Sequence, residues 1–369
     1  MKHIMSYITL LLTFMLVTSC EHRPLVDLNV TTGKYVRIYI NEQIKNVTYG
    51  FYAEDIVKPE FINPGVMRVV LCDRETGRMV SERYLQNYGR DERGYYLDCY
   101  IGAPVGEYRL MVYNFGTETT QVRNEGNCFG TEGYTNHISM QYYPKLPKPA
   151  TEPKPNYDQM NLLYEPDHLW TVADDNVLIK ETNSPDTLWN SKHDYYTAET
   201  IVKSYYIQVK VKGAQWISNT SSLLTGVAGS KLVYKNEMVA EPPAILYFEM
   251  RERQRQPVMV PKKDDKGNAS GDGEMEETQS AIIYSTFNTW GKLPDVESVF
   301  KITFSFNTVG GGNQTETMDI THNFTTEEAI NHQWIIIEKE IEIKEPEGGG
   351  GGFTPGVDEW EDEEHEIII

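Results

Sequence analysis

Apolar and polar residues alternate with a period of two along much of the chain. In the segment YVRIYI, Val36, Ile38 and Ile40 fall on one side and the intervening residues on the other. Because successive side chains of a strand point to opposite faces, this alternation predicts β-strands with one buried face. Further strand-like segments follow at the spacing of a sandwich or barrel: NVTYGFYA, GVMRVVLCD, RMVSERYL, GYYLDCYI, GEYRLMVYNF, YYIQVKVKG, AILYFEMR and FKITFSFNT. The sequence therefore predicts an all-β fold.

The strand-like segments form two series, which predict two domains. The first series covers residues 34–195 and the second covers residues 196–346. Within the first series, the stretch 143–157 contains five prolines. Proline cannot donate a ladder hydrogen bond, so this stretch predicts an extended insertion loop between strands.

The end of the second series makes three local predictions. WIIIEKEIEIK predicts a long final strand with Ile337, Ile341 and Ile343 on one face, and Lys339 interrupts that face as an edge strand would. TTEEAINHQ predicts one short helix, with a threonine cap and acids in its first turn. TVGGGNQTE lacks the lysine of a phosphate-binding loop and predicts a hairpin turn.

The first 19 residues predict a signal peptide. Lys2 and His3 precede a short apolar run, which is too short to span a membrane, and Thr18 and Ser19 end it before Cys20. This arrangement resembles a bacterial lipoprotein signal, which implies cleavage before Cys20 and a lipid, such as palmitate, on that cysteine. A plain secretory signal with an incidental cysteine is the alternative. A tether over residues 20–33 then leads to the first strands.

Composition narrows the classes of function. The net charge is −20, from 54 acidic and 34 basic residues, and this argues against nucleic acid as a partner because phosphate binding needs a basic face. No catalytic motif, metal-ligand spacing or cofactor-binding loop occurs, so the sequence predicts a non-catalytic protein without metal or cofactor. Cys72 and Cys99 lie in strand-like runs, where either a disulfide or two buried thiols fits. Cys128 is then left over.

The C-terminal segment 347–369 begins with a glycine hinge and continues as an acidic tail. Gly348–Gly352 has no propensity to continue a strand, and apolar residues follow it at Val357, Trp360 and Ile367–Ile369. These residues are candidates for a docking strand. The strand could complete the sheet of its own domain or join a neighbouring subunit.

Five motifs, in this order, resemble the fimbrillin superfamily of Bacteroidetes lipoproteins, in particular fimbrial anchor or accessory subunits of an uncharacterised branch. The motifs are CEHRPL after the lipid cysteine, GEYRLMVYN, EPDHLW, the pair SSLLTGVAGS and STFNTWG, and the tail GGGGGFTPGVDEWEDEEHEIII. The resemblance implies two tandem transthyretin-like antiparallel β-sandwich domains. It also implies an outer-membrane lipoprotein that meets fimbrial subunits by strand exchange and serves cell adhesion.

Two arginines bear on the role in such a pilus. Stalk subunits of the family lose an N-terminal strand by cleavage after an arginine, whereas anchor subunits keep theirs. Arg23 is too close to Cys20 to release a strand, and Arg37 lies inside YVRIYI. An anchor or accessory role is therefore favoured over a stalk role. Glu21–Pro24 lacks the acidic run of a surface-export signal, which leaves the leaflet open.

A surface glycan-binding lipoprotein is the alternative from another class. Such proteins are also lipid-anchored tandem sandwiches, and they bind sugar rings on exposed aromatic platforms. Two or three tryptophans on one exposed face would favour this function. The six tryptophans are Trp170, Trp189, Trp216, Trp290, Trp334 and Trp360.

Overall fold

The fold is known from a computed structural model. It describes residues 31–42, 62–136, 161–181, 186–239, 244–262, 274–293 and 300–346. Within these ranges the chain forms 21 strands, one short α-helix and two 3-10 turns, so the predicted all-β class is confirmed. No helix in these ranges is long and apolar enough to cross a membrane. The predicted signal peptide, Cys20, the proline-rich insertion and the acidic tail lie outside them.

A first large sheet is built from nine strands of the N-terminal half. They are β1 (Thr31–Ile40), β2 (Met67–Asp73), β3 (Met79–Leu85), β4 (Asn87–Asp91), β5 (Gly94–Pro104), β6 (Gly106–Asn114), β10 (Trp170–Ile179), β11 (Asp186–Thr187) and β12 (Tyr196–Thr200). Their order is β3-β2-β6-β10-β12-β1-β5-β4, with β11 beside β1. β1 is an interior strand, antiparallel to β5 and parallel to β12.

A second large sheet is built from eight strands. They are β9 (Asn161–Leu163), β13 (Lys203–Lys212), β14 (Ile217–Val227), β17 (Ala244–Pro261), β18 (Met275–Thr289), β19 (Lys301–Thr308), β20 (Asn313–Asp319) and β21 (Trp334–Glu342). Their order is β20-β19-β14-β17-β18-β13-β21, with β9 beside β17. Most pairs are antiparallel, and β13–β21 and β17–β9 are parallel.

A small third sheet links the two halves of the chain. It contains four strands: β7 (Thr120–Arg123), β8 (Glu132–Thr135), β15 (Ser230–Leu232) and β16 (Met238–Val239). β8 from the N-terminal half pairs with β15 from the C-terminal half. We call it the connecting sheet, because its β8–β15 ladder joins the two halves of the chain.

Three large apolar cores and one small cluster of Tyr206, Tyr284 and Trp334 lie within the described residues. The alternation is confirmed in the first core, where Val36, Ile38 and Ile40 are buried, and in the second, where Ile302, Phe304 and Phe306 are fully buried. The third core, which we call the connecting core, lies at the junction between the two large sheets. It takes residues from both halves of the chain: Val70, Cys72, Met111, Tyr113, Cys128, Leu169, Ile201, Val202, Ala228, Val233, Trp290 and Leu293.

The local predictions for the second series are confirmed. Helix α1 (Glu327–His332) is capped by the Thr326 side chain, which accepts a hydrogen bond from Ala329 N, and Glu327 and Glu328 lie in its first turn. β19 and β20 form a hairpin through the glycine turn. β21 lies at the end of the described sheet, as the interruption by Lys339 predicts.

Two boundaries differ from the sequence-based expectation. β1 already begins at Thr31, inside the predicted tether, and β12 extends the first sheet to Thr200, beyond residue 195. β9 departs from chain order and joins the second sheet. Pairings between distant segments decide these placements, and a local alternation cannot reveal them. The division into two domains stays a prediction.

A Cys72–Cys99 disulfide does not form in this structure, where both residues are buried free thiols. Along β2, Val69 and Leu71 face the first core, whereas Val70 and Cys72 face the connecting core. Cys99 lies in the first core. The two cysteines therefore lie on opposite sides of β2, as strand alternation requires.

Candidate functional site

Within the described residues, the second sheet folds over on itself, and no strand lies between its two ends. The first part of β17, Ala244–Met250, pairs with β14, and the part from Arg251 onward pairs with β18. A bulge interrupts the second ladder, and Gln254 there has a positive φ of 52°. β17 thus closes one side of a two-layered sandwich. β20 and β21, the two ends of the sheet, flank the opposite side.

We call the gap between β20 and β21 the open seam. Side chains span it where a backbone ladder would otherwise run. Gln314 Nε2 donates to Glu342 O at 2.7 Å, and Lys344 N donates to Gln314 Oε1 at 3.0 Å. Lys339 forms an ion pair with Glu316 across the same gap. Side-chain contacts therefore connect the edges of β20 and β21 in place of a backbone ladder.

The open seam contains a cavity of about 480 Å³ next to α1. Met318 and Ile320 line it from the β20 side, and Ile336 and Ile337 line it from β21. Asn323 Nδ2 donates to Ile336 O at 2.7 Å, in the position that a partner strand would take. The rest of the lining is polar: Asp319, His322, Asn323, Thr326, Glu328, Glu338 and Lys339. Apolar side chains between two strand edges can receive an added strand, because main-chain hydrogen bonds hold the strand and pockets receive its side chains.

Charged residues lie along the edges of β20 and β21 at the open seam. The Lys339 side chain is 59% exposed at the seam and that of Glu316 is 32% exposed, and Glu338 is exposed beside them. Lysine on an edge strand discourages indiscriminate pairing with other sheets. The seam is thus accessible to a strand that can displace these weak surface contacts.

A second feature joins the two sandwiches, and it corresponds to the EPDH part of the EPDHLW motif. Asn288 N, from β18, donates to Glu165 Oε2 at 2.9 Å. Thr119 N donates to Asp167 Oδ2 at 2.6 Å, and His168 Nδ1 lies 3.0 Å from Thr200 Oγ1. We call residues 165–168 the joint segment, because their contacts reach both large sheets.

Burial perturbs two titratable groups of the joint segment. Glu165 lines a cavity of about 750 Å³, and desolvation raises the pKa of its carboxyl to about 7. Desolvation also lowers the pKa of His168 to about 4. Both shifts favour the neutral form of the side chain, which is the effect that burial in the joint segment has on each group.

The outer face of β1 and β5 carries a network of tyrosines around one arginine. The Arg37 guanidinium lies 3.8 Å from the Tyr96 ring centroid and within 3.3 Å of an Asp98 oxygen. Tyr35 and Tyr100 pack at 5.2 Å between centroids. We call this the aromatic face. The positions of the tryptophans do not predict this face. Alternation in Tyr-Val-Arg-Ile-Tyr does place Tyr35, Arg37 and Tyr39 together on the side opposite the core.

The tryptophans do not form an exposed platform in the described part of the chain. Trp170, Trp290 and Trp334 are buried, and Trp189 and Trp216 are partly buried. The sixth, Trp360, lies outside the described residues. The feature that would favour a tryptophan-based glycan site is therefore missing from the described ranges.

The other predicted site residues lie where the structure gives no description. These are the lipidation candidate Cys20 and the partner-strand candidates Val357, Trp360, Ile367, Ile368 and Ile369. They stay predictions. No group of three or more potential metal ligands occurs among the described residues.

Comparison with protein families places the chain. A family profile described as "Domain of unknown function (DUF5119)" matches residues 61–249, which is more than half of the chain. The protein belongs to this family. The matched region includes most of the first sheet, the joint segment and the first strands of the second sheet.

Individual relatives extend the similarity over nearly the whole chain. The "Putative fimbrium anchoring subunit Fim4B" of Bacteroides ovatus is 22% identical, over 97% of this chain and 96% of the relative. A crystal structure of a "putative adhesin" from Bacteroides ovatus superposes with a TM-score of 0.52 and 19% identity, over 89% of this chain and 98% of that one. This match shows a shared fold. The resemblance to fimbrial anchor or accessory proteins is confirmed.

The fimbrial anchor protein Mfa2 of Porphyromonas gingivalis also matches, with a TM-score of 0.42 and 11% identity. The match covers 84% of this chain and 90% of Mfa2. A TM-score below 0.5 does not establish a common fold.

Proposed function

We propose that this protein is a non-catalytic anchor or accessory subunit of a pilus, held at the outer membrane by a lipid on Cys20. The relative that is named a fimbrium anchoring subunit supports the pilus association, since the two chains match over almost their full lengths. The predicted signal peptide and lipid cysteine support the envelope location. In this role the protein would connect fimbrial subunits to the membrane.

The position of β1 is the observation that carries the anchor role. β1 pairs with β5 from Thr31 opposite Pro104 to Tyr39 opposite Tyr96, and it also pairs with β12. A subunit without its first strand would have a groove at this place for a neighbour's strand. Here the chain fills the groove itself, which fits a subunit that ends a pilus.

Arg37 is also a poor site for strand-releasing cleavage. Its backbone lies within the β1–β5 ladder, opposite Asp98, and its side chain is 21% exposed beneath the tyrosine rings. A protease that cuts after arginine needs an extended, accessible backbone. Retention of β1 is therefore expected in the mature protein.

The open seam supplies the proposed contact with the neighbouring subunit. A strand that enters between β20 and β21 would displace the side-chain contacts at their edges, pair with both strands and cover the apolar side chains of the cavity. The tail segment that contains Val357, Trp360 and Ile367–Ile369 is the candidate donor. It would act either on its own seam or on a neighbour's sheet.

Isolation of the full-length protein from the outer membrane of its native host tests this function. We expect fimbrial subunits to co-purify, and we expect peptides from the region between Cys20 and Arg37 to persist in the assembled protein. Fatty-acid labelling should be lost in the Cys20→Ser variant. Assembled protein that begins at Ile38 would contradict the anchor role, and absence of fimbrial subunits would contradict the pilus association.

A glycan-binding role is the second candidate, and the aromatic face favours it. Tyr100 is 61% exposed there, so its ring is available to a sugar face. Binding to a glycan array that is lost in Tyr100→Ala, but kept in Tyr84→Ala on β3, would support this role. Absence of binding by the wild-type protein would exclude it for the sugars on the array.

A further inference from the structure

Two cysteines that are distant in sequence meet in the connecting core. Cys72 lies near the end of β2, and Cys128 lies in the loop between β7 and β8. Both are fully buried, and their thiols are in hydrogen-bonding contact with each other. Cys99 takes no part, because it lies in the core of the first sheet.

The backbone holds the two cysteines together independently of their sulfur atoms. Cys128 N donates to Gly77 O at 2.9 Å, and Met79 N donates to Gly126 O at 3.1 Å. Met79 is the register partner of Cys72 across the β2–β3 ladder. These hydrogen bonds fix the Cys128 loop against the β2–β3 turn, next to the Cys72 side chain.

We propose that Cys72 and Cys128 are a disulfide-forming pair, which an exported chain closes as it folds. Secreted proteins meet an oxidising environment, in which adjacent thiols form disulfides. The predicted signal peptide places this chain in that environment. Since neither sulfur is exposed in the folded protein, the oxidant reaches the pair before the β7–β8 loop has packed.

The chemistry is an ordinary thiol–disulfide exchange. The Cys128 thiolate attacks an external disulfide, of the exchange-protein or low-molecular-weight class, and forms a mixed disulfide while one thiolate leaves. The Cys72 thiolate then attacks the Cys128 sulfur and releases the second thiolate. Two protein thiols are oxidised to one disulfide, and one external disulfide is reduced to two thiols.

Cys128 acts as the first nucleophile, because it lies on the β7–β8 loop and stays accessible until that loop packs. Once the loop has packed, contact with Cys72 lowers the pKa of the Cys128 thiol, the nearby Arg109 guanidinium lowers this pKa further, and burial opposes both. The same contact and burial raise the pKa of the Cys72 thiol.

The bond would fasten the connecting sheet to the first sheet. The loop that carries Cys128 also bonds to the C-terminal half, because Val233 N donates to Thr131 O at 2.9 Å. Cross-linking this loop to β2 would therefore hold the junction between the two sandwiches. A protein that transmits force between a membrane and a pilus would benefit from such a covalent tie.

Peptide mapping tests the pairing, because the cysteines fall on separate tryptic peptides. Cys72 lies in 69–74, Cys99 in 94–109 and Cys128 in 124–145. The full chain with Cys20→Ser is reduced, unfolded in guanidinium and refolded in buffer with excess oxidised glutathione. It is then alkylated under denaturing conditions and digested. We expect peptide 69–74 linked to peptide 124–145, with Cys99 alkylated.

Two variants and a melting measurement provide the controls. Cys99→Ala should keep the cross-linked peptide and melt at a higher temperature after oxidative refolding than after reductive refolding. Cys128→Ala should show neither the cross-link nor the oxidation-dependent rise. Three separately alkylated cysteines in the refolded Cys20→Ser chain would overturn the proposal, and so would a cross-link that contains Cys99.

Discussion

The joint segment should make the stability of this protein depend on pH through one carboxyl. The pKa of Glu165 is raised to about 7 by burial, against an ordinary value of 4.5. A carboxyl with a raised folded-state pKa contributes most to stability when protonated, below pH 4.5, and this contribution is lost as the pH rises through 7. Glu165→Gln, which stays neutral and can still accept from Asn288 N, should remove this loss.

The shift sets the size of the effect. Each pKa unit corresponds to about 1.4 kcal/mol, so the full span is at most about 3 kcal/mol. Urea unfolding at pH 5 and pH 8 measures it. From pH 5 to pH 8, the free energy of unfolding of the wild type should fall by about 2–3 kcal/mol more than that of Glu165→Gln. His168, whose pKa is lowered by burial, works in the opposite direction below pH 6.5, and it is present in both proteins.

Because His168 is present in both proteins, the difference between their free energies of unfolding reports the contribution of Glu165. Glu277→Gln, at an exposed position on β18, is the matched control and should leave the pH dependence unchanged. If the free energies of unfolding of Glu165→Gln and the wild type ran parallel from pH 5 to pH 8, the carboxyl would not be desolvated. The account of the joint would then be wrong.

Three further substitutions test the packing of the sandwiches by chemical denaturation. Ile38→Ala removes a fully buried side chain of β1 and should lower the free energy of unfolding by about 2–5 kcal/mol. A loss below about 1 kcal/mol would show that β1 does not pack in the core. Gly213→Ala should destabilise by more than about 1 kcal/mol, because φ is 78° and the new Cβ would lie 2.2 Å from Ile343 O; Gly65→Ala, with open space, should be nearly neutral. Thr326→Ala removes the cap of α1 and should cost about 1 kcal/mol, whereas no change would show that the helix does not depend on its cap.

Local patterns predicted the elements of this fold well. The two-residue period identified the buried faces of β1, β13 and β19, and the cap sequence identified α1. Lys339 marked β21 as an edge strand, because a charge on the apolar face is tolerated only where no neighbour covers it. Each of these signals lies within one short segment.

Long-range pairings could not be predicted in this way. The β8–β15 ladder joins residues about 100 positions apart, and no local period encodes which edges meet. The meeting of Cys72 with Cys128 depends on such packing, and so does the open seam, where the two ends of one bent sheet approach each other. The aromatic face was predictable in part, since alternation already puts Tyr35, Arg37 and Tyr39 on one side of β1.

The most direct test of the proposed strand addition is to close the open seam chemically. Glu316→Cys with Lys339→Cys replaces the ion pair across the seam, and a short bismaleimide would join the two strands there. The matched control replaces the Lys262–Glu274 ion pair, which links β17 and β18 away from the seam. Both cross-linked proteins should melt at or above the wild-type temperature.

Capture of fimbrial subunits by these two purified proteins is the measurement. We expect the control to capture subunits as the wild type does, and we expect the seam-closed protein to capture at least tenfold less, while its uncross-linked form behaves normally. A tenfold loss corresponds to about 1.4 kcal/mol of binding free energy. Full capture by a protein whose seam is closed would contradict strand addition between β20 and β21.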